Sequence, residues 1–117
     1  MAIASVFGAV GYRERAAYCA GKAGEIGLVW ALALDLAPRR IRVNAVSPSL
    51  IMTPLAQSVL AAEKDPAATL ARRTADHPLG RLGKPDDVAA MVAHLCADSG
   101  SWITGQNFII DGGLSVA

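Results

Sequence analysis

The sequence predicts an α/β fold, a parallel sheet with helices packed on its faces. Three observations carry that prediction. Short β-type segments stand at Met1–Ser5, Ile41–Val46 and Gln106–Ile110. A long apolar segment without an internal proline, Ala16–Ala37, separates the first two. Ala-rich and helix-patterned stretches fill the interval before the third. Strands alternating with helices imply parallel pairing through right-handed crossovers.

Met1–Ser5 (MAIAS) is a weak strand signal. The length of Ala16–Ala37 and its lack of strand punctuation read as helix. Apolar residues run nearly all the way round it, which demands burial on more than one side. Pro38 ends it, and Arg39 and Arg40 fall where cations complement the negative end of the helix dipole. Ile41–Val46 (IRVNAV) alternates and is rich in β-branched residues. Pro54–Ala75 is helical in composition but is broken at Asp65-Pro66. A turn over residues 77–83 (HPLGRLG) leads to Pro85, which opens another helix with Asp86 and Asp87 at its positive end. Val88, Met91, Val92, Leu95 and Cys96 give that helix an apolar stripe. Gln106–Ile110 (QNFII) completes the sheet. Ligands of such sheets bind beyond the carboxyl ends of the strands. Here those ends are Ser5, the loop Ser47–Thr53 and Asp111-Gly112-Gly113.

The 117 residues are one domain's length. A net charge of +1 leaves no electrostatic footprint for nucleic acid or an anionic membrane. The longest apolar run, Ile26–Leu34, is far short of the roughly 20 residues of a membrane-spanning helix. The amino terminus has no basic stretch of the signal-peptide kind. Cys19 and Cys96 have neither a CxxC partner nor a His at metal-ligand spacing. They read as small core residues of a reducing compartment, so a cytoplasmic protein without a metal is expected. Charged residues are 18%, below the roughly 25% usual for soluble domains, and hydrophobic residues reach 53%. Such a surface expects to be covered by partner surfaces.

Tyr18 and Lys22 stand at i and i+4 near the start of the long helix, on one face of it. A free phenol is a poor acid–base at neutral pH, and a lysine cation beside it stabilises the phenolate. A tyrosine so tuned can give a proton to a carbonyl oxygen or take one from an alcohol. Ser5, ending the first strand, is placed to hydrogen-bond the same oxygen. The Tyr–Lys pair by itself reads as an ordinary helix face.

The wider pattern changes that reading. Ser5 precedes YCAGKAG (residues 18–24), followed by IRVNAVSPSLIMT, PLGRLGKPDDVA, ITGQ and a final DGG, in that order. This succession resembles the short-chain dehydrogenase/reductase family, NAD(P)-dependent oxidoreductases on a Rossmann-like fold. The resemblance runs nearly end to end. It implies Tyr18 as the catalytic acid–base, Lys22 as the residue that tunes it and holds the nicotinamide ribose, and Ser5 as the group that orients the substrate carbonyl. Pro48, Ile51 and Thr53 match the loop that holds the nicotinamide ring and carboxamide, and Asn44 a framework position. The implied cofactor is NAD or NADP, undistinguished, and the implied substrate a small carbonyl or alcohol. The family assembles dimers and tetramers through segments matching Ala16–Ala37 and Pro85–Ile110, so a homo-oligomer is expected.

The family's TGxxxGxG fingerprint and its NNAG stretch do not occur in these residues. The expectation is therefore that residues 1–117 correspond to the carboxyl-terminal half of a dehydrogenase domain, its last three strands with their helices. The competing expectation is a truncated, catalytically incompetent chain acting as an oligomer-forming interaction module. Ser49 and Arg40 occupy positions where the family commonly has glycine. Residues 13–15 (Arg-Glu-Arg) read as a solvated loop near the mouth of the site, and His77 and His94 as surface groups without a ligand role. Arg39, Arg40 and Arg42 read as a charged turn, and Trp30 and Trp102 as core or interface. Pro54–Ala75 falls in the family's substrate-covering segment and offers no distinctive polar reader.

Overall fold

The computed structural model describes residues 1–117. Three strands, β1 (Ala2–Ile3), β2 (Ala45–Pro48) and β3 (Asn107–Ile110), form one parallel sheet in the order β1-β2-β3. Ala2 lies opposite Ala45 in the first pair, and Ala45 opposite Asn107 in the second. Helix α1 (Ala16–Leu36) crosses from β1 to β2. The return to β3 carries α2 (Pro54–Ala61), α3 (Pro66–Ala75) and α4 (Pro85–Cys96). This is the partial Rossmann-like α/β architecture the alternation of segments predicts.

The strands are shorter than their β-type segments, and for β2 and β3 the reason is local. Val43 gives its amide to the Thr104 hydroxyl at 3.0 Å, so the ladder of β2 starts later than Ile41. Gln106 gives its amide to Asn44 Oδ1, which delays β3 by one residue. Asn44 also donates from Nδ2 to the Ile103 carbonyl at 2.8 Å and is buried. One side chain thus stitches the entry of β2 to the entry of β3. Arg42 adds a bond to the same carbonyl at 3.4 Å, so it serves the fold rather than a free charged turn.

Helix α1 stops at Leu36, and Pro38 sits in a 3-10 turn, Ala37–Arg39, closed by Arg40 in a left-handed conformation at φ 57. A side chain there costs about 1–2 kcal/mol, a cost glycine avoids. Ile26, Val29 and Ala33 form the buried stripe of α1, and Ala4, Ile26, Val29 and Ala45 the heart of the core. Around the rest of α1 Leu28, Trp30 and Leu34 are exposed, Leu34 at 78%. Trp102 is 99% exposed, so neither tryptophan belongs to this core.

The predicted break at Asp65-Pro66 separates α2 from α3: Asp65 caps α3 by accepting the Ala68 amide at 2.9 Å, with Pro66 at the first position. Leu95 fills the core from α4 with Val88, Met91 and Val92 half-buried behind it. Cys96 departs from the expected stripe, because the helix ends there and leaves it exposed, while Cys19 is half-buried. Both cysteines are free. No helix is long and apolar enough to cross a membrane.

Candidate active site

The site begins where β1 ends. Ser5 leaves the strand in extended backbone and caps a 3-10 turn, Val6–Gly8, its Oγ accepting the Phe7 amide at 3.2 Å. A hydroxyl that accepts in this way keeps its O–H free to donate. The turn is pressed against α1: a Cβ on Gly8 would lie 2.7 Å from the backbone carbon and oxygen of Lys22. Glycine alone permits that approach, and it sets the depth at which Ser5, itself 6% exposed, meets the first turns of α1.

Tyr18 stands on those turns, 48% exposed. Ser5 and Tyr18 line one cavity of about 280 Å³ together with Phe7, Ser49, Leu50 and His77. The ring of Phe7 stacks on Tyr12, centroids 4.3 Å apart, and stiffens one wall. Lys22 is not among the walls. Its Nζ donates to both oxygens of Glu25 at 2.9 and 3.0 Å and to the Ile3 carbonyl at 3.3 Å. Ser5 and Tyr18 are thus brought together, with the Lys22 ammonium tied to the end of β1 and balanced by Glu25. The partner was readable as an acid three positions after a lysine on a helix.

The loop after β2 is held at several points. Pro48 is buried at the end of the strand, opposite Ile110. Ile51 makes a parallel bridge with Gly83, where a Cβ would run into the Ile51 side chain. Thr53 caps α2, its Oγ1 accepting the Ala56 amide at 3.2 Å. Thr53 lines a second cavity of about 310 Å³ beneath α2 and α3, and Ile51 lines a third; Pro48 lines none of the three. Ser49 and Leu50, between them, are the loop residues that share the cavity of Ser5 and Tyr18.

Two sequence expectations change here. Ser49 does not adopt the left-handed backbone that would call for glycine. Its hydroxyl meets His77 Nε2 at 2.9 Å. His77 is 5% exposed rather than a surface group, because the turn after α3 folds it back under the loop. Its Nδ1 lies 2.6 Å from the Arg73 carbonyl. A carbonyl only accepts, so Nδ1 carries the proton; Nε2 accepts from the Ser49 hydroxyl in the neutral ring and donates to it in the charged one. Arg73 also contradicts the expectation of a cover without polar readers: with Arg15 it lines both the first and the second cavity.

The third strand end is tied by Asp111, which accepts the amides of Gly113 at 2.9 Å and Ser115 at 2.7 Å. Burial would raise its carboxyl, but bonds from Ser115 and Gly113, with His77 nearby, hold it below the usual carboxylate range. Arg81 forks onto Asp87 and fastens the turn to α4, with Arg81 Nη2 donating at 2.9 Å. The Arg81 bonds first, then the Lys84 amide, lower the Asp87 carboxyl from 3.8 to about 2. No group of three or more His, Cys, Asp or Glu is arranged to hold a metal ion.

A family model described as enoyl-(acyl carrier protein) reductase matches residues 1–115. A 3-oxoacyl-(acyl-carrier-protein) reductase of Thermotoga maritima is 43% identical over 114 residues, 97% of this chain and 44% of that protein. A 2-(S)-hydroxypropyl-CoM dehydrogenase of Xanthobacter autotrophicus is 40% identical over 112 residues, again 44% of its length. The structure of 4-hydroxyisoleucine dehydrogenase complexed with NADH superposes with a TM-score of 0.89 at 36% identity, covering 98% of this chain and 46% of that one. The chain thus spans less than half the length of these relatives. The family match, the relatives and the superposition agree, and the chain belongs to the short-chain dehydrogenase/reductase family.

Proposed function

We propose that these residues work as the carboxyl-terminal half of an NAD- or NADP-dependent oxidoreductase that interconverts a small carbonyl compound and its alcohol. The observation that carries this reading is the shared cavity of Ser5 and Tyr18 at the carboxyl ends of parallel strands. In reduction, the Tyr18 hydroxyl gives its proton to the carbonyl oxygen while the Ser5 O–H hydrogen-bonds that oxygen and fixes its direction. Released from its bonds to Glu25, the Lys22 ammonium would stabilise the phenolate left behind, and the reverse reaction returns the proton to it.

The residues fit the nicotinamide end of such a cofactor. Neither the Leu50 nor the Ile51 amide donates within the chain, so both are free for a carboxamide. Pro48 and Thr53 brace the loop that carries them, and Lys22 stands at the ribose side. When bound, the cofactor supplies or removes the hydride at the carbonyl carbon, the hard part of the chemistry. Residues for the adenosine and pyrophosphate would come from polypeptide outside these 117 residues.

Two further readings belong to this proposal. The exposed Leu28, Trp30 and Leu34 on α1 favour a homo-oligomer assembled through that helix. The free thiols of Cys19 and Cys96 favour the cytoplasm.

The test is NAD(P)H-linked turnover of a carbonyl panel by the complete polypeptide that carries these residues, beside its Tyr18→Phe variant. A loss of roughly 10²–10⁴-fold in kcat is expected in the variant, the usual range for a removed acid–base. Equal turnover by both proteins would overturn the role of Tyr18.

A further inference from the structure

The first cavity holds Ser5 and Tyr18; the second, beneath α2 and α3, is walled mostly by apolar side chains such as Leu55, Val59 and Leu70. Arg15, Leu50 and Arg73 line both, so the two guanidinium side chains stand along their common border. Neither arginine is spent inside the chain. The ion pairs present are Lys22–Glu25 and Arg81–Asp87. The arginines whose side chains donate hydrogen bonds are Arg42 and Arg81. Asp76 lines the first cavity and Glu63 the second, yet neither carboxylate pairs with these guanidiniums.

Helix stability accounts for neither cation. Arg15 stands at the amino end of α1, where the dipole disfavours positive charge, and its side chain caps nothing. Arg73 lies in the last turn of α3, but Arg72 serves that end equally, is exposed and lines neither cavity. Arg73 is half-buried and makes no side-chain hydrogen bond or ion pair within the chain, so its guanidinium is free to meet an anion in the cavity. Its backbone is fixed by the His77 bond at 2.6 Å, which ties the cover to the loop through Ser49.

We propose that Arg15 and Arg73 read a carboxylate on the substrate, so that the chain acts on short oxo acids or hydroxy acids whose carboxylate lies a few bonds from the reacting carbon. This rests on the carbonyl–alcohol reading above and names its substrate class. Planar guanidinium forks suit a carboxylate, which can accept two parallel hydrogen bonds from one arginine. The first cavity, about 280 Å³, is just below the roughly 300–1,000 Å³ usual for small-molecule pockets and suits a short acid.

The complete polypeptide is tested as wild type and as Arg15→Gln, Arg73→Gln, Arg73→Lys and Arg72→Gln, with 4-oxopentanoate and the neutral 2-hexanone as substrates. In the first two variants kcat/KM for the oxo acid falls roughly tenfold or more through KM, and the neutral ketone is unaffected. Arg73→Lys restores part of the loss, added salt shrinks the difference, and Arg72→Gln changes nothing. Equal effects on both ketones, or no effect on either, overturn the assignment. Calorimetry with pentanoate and pentanamide decides it independently of turnover. Pentanoate binding that is lost in Arg73→Gln upholds the pair, and equal or absent binding of the two compounds overturns it. Should neither ketone be turned over while pentanoate binding behaves as expected, the redox reading fails and the anion site stands.

Discussion

All four residues of β2 are buried, whereas α2 and α3, which follow it along the chain, bury none. The two regions share the walls of the site. The floor, made of the strand ends, the turn after Ser5 and the first half of α1, is held by ladder bonds and by the tight contact at Gly8. The cover is held by its caps, Thr53 and Asp65, and by the His77 bonds at its far end. Groups that must meet a reacting atom need the floor's fixed geometry. Groups that choose the substrate can sit on the looser element, where substitution is cheap. Tyr18 and Ser5, proposed to meet the reacting carbonyl, lie on the first, and Arg73, proposed to read the substrate, on the second.

That contrast can be broken most forcefully at Gly8. Gly8→Ala puts a methyl against backbone atoms of Lys22 that cannot turn aside, so the turn must lift from α1. A loss of about 1–3 kcal/mol is expected, read by denaturant unfolding. Turnover should fall with it, because Ser5 moves relative to Tyr18. A variant that keeps full stability would show that the floor is not held by this contact.

A subtler effect is expected at the root of the cover, where Arg81 and Asp87 meet. The Asp87 carboxyl is lowered to about 2 in the folded chain. A lowered acid adds stability that is present above its ordinary value of 3.8 and is lost as the pH falls through about 2. Asp87→Asn should therefore weaken the protein at neutral pH and flatten its acid unfolding between those values. An unchanged acid profile, followed by circular dichroism, would mean that solvent screens the pair completely.

The smallest effect belongs to the cover itself. Leu55 on α2 is 74% exposed while touching the second cavity. Leu55→Ser should change stability by no more than about 0.5 kcal/mol yet raise KM for substrates with an apolar tail. A large stability loss on thermal unfolding would place α2 in the core and erase the distinction.

Much of this was legible in the residues. Pro38, Asp65-Pro66 and Pro85 punctuate the helices within a residue or two of where they end or begin, because proline acts on its own neighbourhood. Tyr18 was marked by its place in a motif, and in the fold it lines one cavity with Ser5. His77 was not legible. Next to a proline in a polar turn it looks like surface, and only the fold-back of the turn onto Ser49 buries it. Arg73 was hidden for the same reason, since nothing local separates it from Arg72. Cys96 erred in the other direction: it continues the apolar period of α4 but holds the helix's last position and is exposed.

The sequence by itself determined the parallel α/β order, the helix starts and stops and the family pattern, since each depends on short-range sterics and residue period. Tertiary structure alone decided which cations face the cavity, which histidine is buried and how close Ser5 comes to α1. Those outcomes depend on contacts between residues far apart in the chain, made at distances that a pattern along one dimension does not encode. Gly8 is the clearest case: its missing side chain matters only because Lys22 lies against it.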